Sequence, residues 1–287
     1  MIDFDRGSRG LAMIREYAPA DLADVQRVQA AAVAHDGDIE TKDPFVGPQC
    51  LIAELDGRVV AYGSAVVWTE ADGTELHLLR GVVDPATRRR GIGTALLVEQ
   101  ERRAAAVAGP RGVFGGNANA NQPGSAALLR KHGYQVAFTV VSLERELPDH
   151  APAPLPPTLR YGPIDHALTA AAIEECFGAS GHGHVADSYD TNDAHLWSIA
   201  WAGDQIAGGA IARRDGEVEW LFVRPQWRRR GLGRTLLADC HRQLAESGLA
   251  IARIETVAEN ANDTVALYTS AGYRIVRERP RYRKPMR

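Results

Sequence analysis

Residues 88–93 read RRRGIG, and residues 228–233 read RRRGLG, each behind a short apolar run that ends in proline. A phrase kept at such a distance means that the chain builds one architecture twice, and no other feature narrows its fold as much. The match extends beyond the phrase. AELDGRVVAYG (53–63) answers AWAGDQIAGG (200–209), Pro85 answers Pro225, and KHGYQV (131–136) answers SAGYRI (270–275). The offset drifts from 146 to 140 because the first copy has the longer second hairpin, WTEADGTELH against RRDGEVE. Insertions in surface turns cost little, so the drift leaves the repeat intact.

Both copies run in the same order. A strand (MIREYA; TLRYG) precedes a helix (ADLADVQRVQAAAVA; DHALTAAAIEECF), and a hairpin follows. A strand then ends at the proline, and the arginine–glycine phrase opens a helix. Another strand, a short helix, Gly-Tyr and a last strand complete the unit. Apolar residues recur at three- and four-residue steps in the helices and alternate in the strands. Between the copies, LPDHAPAPLPP (147–157) holds five prolines and reads as a semi-rigid linker. The expected organisation is a first α/β domain at 12–147, a linker at 148–157 and a second α/β domain at 158–287. Each would be a mostly antiparallel mixed sheet flanked by helices.

Composition excludes several classes. With 45% apolar and 24% charged residues the chain is globular in character. A net charge of −3 argues against a nucleic-acid binder. Three scattered cysteines, Cys50, Cys176 and Cys240, have no metal-like spacing and suggest a reduced cytoplasm. His182 and His184 in GASGHGHVADSY (178–189) lack a carboxylate at a fixed spacing, so no metal is expected. No apolar run is long enough to span a membrane, and the first dozen residues lack a signal-peptide core. Nothing distinguishes a monomer from a homodimer.

The chemistry lies in the repeated phrase. The first turn of a helix offers unpaired N–H groups and a positive dipole end, and glycines let a ligand approach bare backbone. Together these form an anion cradle suited to pyrophosphate. In the second copy it comprises Arg228, Arg229, Arg230, Gly231, Leu232, Gly233 and Arg234. In the first it comprises Arg88, Arg90, Gly91, Gly93 and Thr94. A dinucleotide fingerprint is excluded because Leu96 and Leu236 stand at its third glycine, and the Lys-Ser/Thr of a P-loop is absent.

The full strings VVDPATRRRGIGTALL (82–97) and FVRPQWRRRGLGRTLL (222–237) resemble the acetyl-CoA loop of the GNAT superfamily of acetyltransferases. ENANDTVALYTSAGYRI (259–275) resembles that superfamily's second motif. The resemblance covers nearly the whole chain as tandem copies. It implies acetyl-CoA as cosubstrate and transfer of its acetyl group to a primary amine by direct attack. It further implies that the backbone at Leu221, Phe222 and Val223, and at Val82 and Val83, serves the pantetheine arm and the oxyanion. Asn262, ahead of Asn260, would contact the cofactor, and a tyrosine would protonate the departing thiolate.

The copies are not chemically equal. Glu217 and Glu219 stand eight and six residues before Pro225, on one face of a strand with Leu221 and Val223. The first copy has His77 and Leu79 there. Tyr268 stands four before Gly272, where the first copy has Leu129 before Gly133. Glu255 answers Gly116. Catalysis is therefore expected in the second copy, with Glu219 as first choice of base, Glu255 as second and Tyr268 as acid. The first copy would hold acetyl-CoA without turnover or keep the phrase as a relic, with His77 as its one residual candidate. The acceptor expected is a small-molecule amine, such as an aminoglycoside-like antibiotic, an aminosugar or another metabolite. Remaining alternatives are a non-catalytic acetyl-CoA sensor, a different acyl-CoA or a protein amine.

Overall fold

Tight Asp/Gly turns and apolar alternation lay down an antiparallel meander in each half of the chain. The computed structural model describes residues 12–37, 46–47, 49–70, 72–147, 154–178, 191–259 and 263–286. In the first half these form β1 (Met13–Glu16), α1 (Leu22–Asp36), β2 (Leu51–Leu55), β3 (Arg58–Thr69), β4 (Glu75–Val83), α2 (Ile92–Val107), β5 (Gly112–Asn117), α3 (Pro123–Lys131) and β6 (Gln135–Glu146). The second half repeats the series as β7 (Arg160–Tyr161), α4 (His166–Phe177), β8 (Trp197–Ala202), β9 (Gln205–Ala212), β10 (Val218–Val223), α5 (Leu232–Glu246), β11 (Ile251–Val257), α6 (Thr264–Ser270) and β12 (Arg274–Pro285). The β2–β3 turn places Asp56 and Gly57 at φ 52° and 72°, a pair of positive values that Asp-Gly tolerates and that matches strand twist. Asp165 caps α4 by accepting from the Leu168 N–H at 2.9 Å.

Strands β1 to β4 pair antiparallel in chain order, and so do β7 to β10. The next strand of each copy is parallel. In the first copy β5 pairs with β4 only from Glu75↔Gly112 to Leu78↔Gly115. In the second copy β10 and β11 meet at a single parallel bridge, Glu217↔Arg253. The His77↔Phe114 pair occupies the equivalent register, so both copies part their strands at the same place. Beyond it, Leu79–Val83 and Trp220–Val223 have an antiparallel neighbour on one side alone.

The last strand of each copy goes further than its repeat requires. Residues 140–146 of β6 pair with β11, from Val140↔Val257 to Glu146↔Ile251. Residues 281–285 of β12 pair with β5, from Arg281↔Asn117 to Pro285↔Val113. The exchange is carried by core residues. Val141 and Leu143 are buried with Ile254 and Phe222, and Tyr282 is buried with Phe114 and Leu129. The compact units are accordingly residues up to Thr139 with Arg279 onward, and Val140–Glu278. This division differs from a single cut at 147–158. β5 and β11 would each present an unpaired edge if the copies were cut apart there, and the exchanged ends cover those edges. Residues 148–153 of the expected linker lie outside the described residues.

Among the described residues no helix is long and apolar enough to cross a membrane, and no group of His, Cys, Asp and Glu could hold a metal ion. His182 and His184 lie outside the described residues.

A protease site inserted at 148–153 tests the exchange. After cleavage the two halves should co-elute at the mass of the intact chain on native size exclusion and separate only in denaturant. Separation under native conditions would show that the exchanged strands do not hold.

Candidate active site

The arginine–glycine phrase has one backbone shape in both copies. Pro85–Thr87 and Pro225–Trp227 make a single 3-10 turn after the strand. Arg89 and Arg229 then take φ 64° and 61°, and Gly91 and Gly231 take φ 84° and 80°. Left-handed φ at a non-glycine is uncommon, and its recurrence at both arginines marks a built turn. Such alternation turns successive N–H groups toward one concavity. The first intrahelical bonds are Ala95 N–H to Gly91 O (3.0 Å) and Thr235 N–H to Gly231 O (3.1 Å). The N–H groups before them stay available to a ligand. A Cβ at Gly91 or Gly231 would meet nothing within 4 Å, and one at Gly93 or Gly233 would meet only ordinary contacts. Packing inside the protein therefore does not call for Gly93 and Gly233. A close-approaching anion does.

The first arginine of each phrase has an internal task. Arg228 Nε donates to Val223 O at 2.8 Å, and Arg88 Nε donates to Val83 O at 3.2 Å, so each ties the helix entrance to the strand end. Arg88 also forks onto Asp36, with both contacts at 2.7 Å. That pair holds the Asp36 carboxyl below the usual carboxylate range. Arg234 donates to Ser270 Oγ at 3.0 Å, joining α5 to α6. Arg89 and Arg90 are exposed, as are Arg229 and Arg230. These second and third arginines, not the first, remain to face an anion.

In the first copy the parted strands open a cavity of about 840 Å³. Its lining includes Val82, Val83, Arg88, Gly91, Gly93 and Thr94, and it takes Arg89 in place of Arg90. Asn117, Asn121, Gln122 and Ser125 also line it. Leu79, Leu128 and Leu129 form an apolar end. His77 is not part of the lining. It is 2% exposed and meets Glu75 at 2.5 Å.

The equivalent ground in the second copy carries polar groups. Leu267 takes the place of Leu128 and lies 3.9 Å from where a Gly233 Cβ would be. Tyr268 takes the place of Leu129. Its side chain is buried, and burial is the one cause that shifts its phenol. Burial pushes the phenol up to about 12, so it stays protonated and able to donate. Glu219 is half-buried and makes no ion pair or hydrogen bond among the described residues. Desolvation raises its carboxyl above the ordinary 4.5, with Glu217 and Asp215 adding to the shift and Arg213 opposing it. Glu219 and Glu255 each stand two residues beyond the bridge at Glu217↔Arg253, Glu219 at an irregularity in β10. Glu255 is exposed and accepts from Ser142 Oγ at 2.7 Å. The irregularity of β10 at Glu219 falls between Val218 and Trp220, and Glu255 lies on β11 beyond the bridge. Leu221 and Val223 are half-buried, while the Phe222 side chain is core and leaves only its backbone for a ligand. Trp197, Trp201 and Trp220 belong to the core. Asn262 and Asn260 lie outside the described residues.

The descriptions of known families agree with this geometry. Residues 167–287 match a model described as an acetyltransferase (GNAT) domain, and residues 47–136 match a second model of the same description. A mycothiol acetyltransferase of Geodermatophilus obscurus is 28% identical over 89% of this chain and 91% of its own length. One from Clavibacter michiganensis subsp. michiganensis is 31% identical over 83% and 81%. Among solved structures, a GCN5-related N-acetyltransferase from Sphaerobacter thermophilus superposes with TM-score 0.72 at 22% identity, covering 95% of both chains. A tandem GNAT protein from the clavulanic acid biosynthesis pathway superposes with TM-score 0.64 at 16% identity over 96% of this chain and 100% of its own.

The Gly116 and Leu129 pair can be tested by stability. A Cβ at Gly116 would stand 2.6 Å from Leu129 Cδ2, so the leucine fills the space that a side chain at 116 would need. Gly116→Ala should destabilise the protein by about 1–3 kcal/mol through overpacking. Adding Leu129→Ala should recover part of that loss in urea unfolding. Equal costs in both backgrounds would show that the two positions are uncoupled.

Proposed function

The chain belongs to the GNAT acetyltransferase family and is an N-acetyltransferase, and from that premise we propose that its second copy transfers the acetyl group of acetyl-CoA to a primary amine of a small molecule. One contrast carries this reading. A half-buried Glu219, without an ion pair among the described residues, and a buried Tyr268 stand in the second copy where the first has Leu79 and Leu129. General acid–base assistance is worth roughly 10²–10⁴ in rate, so the first copy lacks what turnover requires.

The pyrophosphate of acetyl-CoA would sit on the amides from Arg229 to Gly233, with Arg229 and Arg230 at the rim. Its pantetheine arm would run along the open edge of β10 and hydrogen-bond to it as an added strand does. The amine nitrogen attacks the thioester carbonyl, and Glu219 takes the ammonium proton, directly or through a water. Backbone N–H groups between Leu221 and Val223 receive the oxyanion. Tyr268 gives its proton to the sulfur as the C–S bond breaks. Glu255 is the second candidate for the base, and its bond to Ser142 makes it the less available of the two. The first copy keeps the cradle and an open cavity, which supports binding of acetyl-CoA there without transfer.

The relatives' name makes the amine of the mycothiol route the first acceptor to try. Aminosugars, aminoglycosides, polyamines, amino acids and protein lysines complete the screen, read by thiol release and mass spectrometry. Absence of acetylated product from every amine, with acetyl-CoA bound, would favour a sensor over an enzyme.

Two variants test the chemistry. Tyr268→Phe should lower kcat by about 10²–10³ while leaving acetyl-CoA affinity unchanged. Glu219→Gln should remove the acidic limb of kcat/KM, which in the wild type lies above pH 4.5. The same shift has a stability sign. A carboxyl whose pKa rises on folding favours the folded state below its unfolded pKa and loses that contribution as pH rises through the folded value. Glu219→Gln should therefore gain thermal stability relative to wild type at pH 8 and not at pH 4. If Glu255→Gln costs more rate than Glu219→Gln, the bases exchange places.

The division of labour is read from the cradle glycines. Gly233→Asp sets a carboxylate against the pyrophosphate and should reduce turnover to background. Gly93→Asp should keep most activity and lose one equivalent of acetyl-CoA in calorimetric titration. Abolished turnover in folded Gly93→Asp, with Gly233→Asp active, would move the working site to the first copy.

A further inference from the structure

Behind Tyr268 lies a buried relay that the transfer chemistry does not use. Among the described residues no hydrogen bond orients the Tyr268 hydroxyl, and ring packing holds the side chain. Its neighbour is Tyr273, with ring centroids 5.8 Å apart at 59°, and the Tyr273 N–H donates to the Tyr268 carbonyl at 3.0 Å. The Tyr273 hydroxyl is fixed in turn by His241 Nε2 at 2.7 Å. His241 is 1% exposed on α5, and its Nδ1 meets Arg145 Nη1 at 2.9 Å. A guanidinium has no acceptor, so Nδ1 accepts and the ring proton sits on Nε2, donating to Tyr273. Arg145 therefore selects the tautomer. It lies on β6 within the exchanged segment 140–146, so the first half of the chain supplies this cation to the second copy.

The first copy has a counterpart at matching offsets. Glu101 on α2 stands for His241, Tyr134 for Tyr273 and Lys284, from the exchanged end of β12, for Arg145. Lys284 Nζ donates to both Glu101 oxygens at 2.9 and 3.0 Å and lies 5.4 Å from the Tyr134 ring centre. The helix position is thus a carboxylate in the copy that has Leu129, and an imidazole in the copy that has Tyr268. A carboxylate beside a phenol opposes its ionisation, as Glu101 adds to the burial that raises Tyr134. An imidazole held in one tautomer anchors the neighbouring ring without that charge.

We propose that His241, set by Arg145, is a positioning residue for Tyr268: it locks Tyr273, whose ring holds the acid toward the thioester. This rests on the reading of Tyr268 as the acid. The test is a double-mutant cycle on the full-length protein, with acetyl-CoA and the amine that wild type acetylates fastest. His241→Leu should lower kcat about tenfold or more with acetyl-CoA Kd within about twofold. His241→Gln, which keeps a donor and an acceptor, should restore most of that loss. In the Tyr268→Phe background, His241→Leu should change kcat by less than about twofold, because the residue it positions is gone.

Equal losses in both backgrounds, or a Kd that weakens in step with kcat, would overturn the proposal. If Tyr268→Phe alone leaves kcat unchanged, the acid assignment fails instead. Positioning is then decided by 3-fluorotyrosine placed at 268. One sharp fluorine resonance in wild type that broadens or splits in His241→Leu supports it, and an unchanged resonance refutes it.

Discussion

Two neighbouring parallel strands that stop pairing are the constraint on which the molecule depends. β4 leaves β5 after Leu78, and β10 leaves β11 after a single bridge at Glu217. Unpaired backbone inside a sheet is costly unless something bonds to it. The parted edge therefore asks for a strand-like ligand, and the arginine–glycine turn at its end asks for an anion. A thioester arm that carries a pyrophosphate meets both demands at once.

The same parting leaves the outer strand of each copy short of partners. β5 and β11 gain theirs from the far ends of β12 and β6, so neither half of the chain completes its own sheet. Tyr282 enters the core of one unit and Val141 and Leu143 that of the other. The exchange also delivers one cation to each Gly-Tyr corner, Lys284 in one copy and Arg145 in the other. Each copy's chain is thus needed to close the other copy's sheet.

The two copies differ in how the ground beside the cradle is packed. Leu129 occupies the space over Gly116, and His77 is buried against Glu75 rather than facing the cavity. A side chain at position 116 would require Leu129 to shift. In the second copy the corresponding residues stay polar at an energetic cost. Among the described residues Glu219 is desolvated with no ion pair or hydrogen bond, and Tyr268 is buried. A carboxylate held desolvated in this way is characteristic of functional sites.

By itself the sequence determined the duplication, the order of elements, the turn that cradles an anion and the inequality of the two copies. Those are local properties: glycine at a positive φ, proline after a strand, periodic burial and fixed spacing. It also brought Glu219, Glu255 and Tyr268 forward by counting from Pro225 and Gly272. The tertiary structure decided which half completes which sheet, because strand exchange depends on edges distant along the chain. It decided that Arg88 and Arg228 serve the strand ends, and that Arg89 rather than Arg90 reaches the cavity, because a run of identical side chains carries no direction. It decided the Arg145–His241–Tyr273 relay as well. The offset that relates His241 to Glu101 was present in the sequence, but only burial and distance give that pair a meaning.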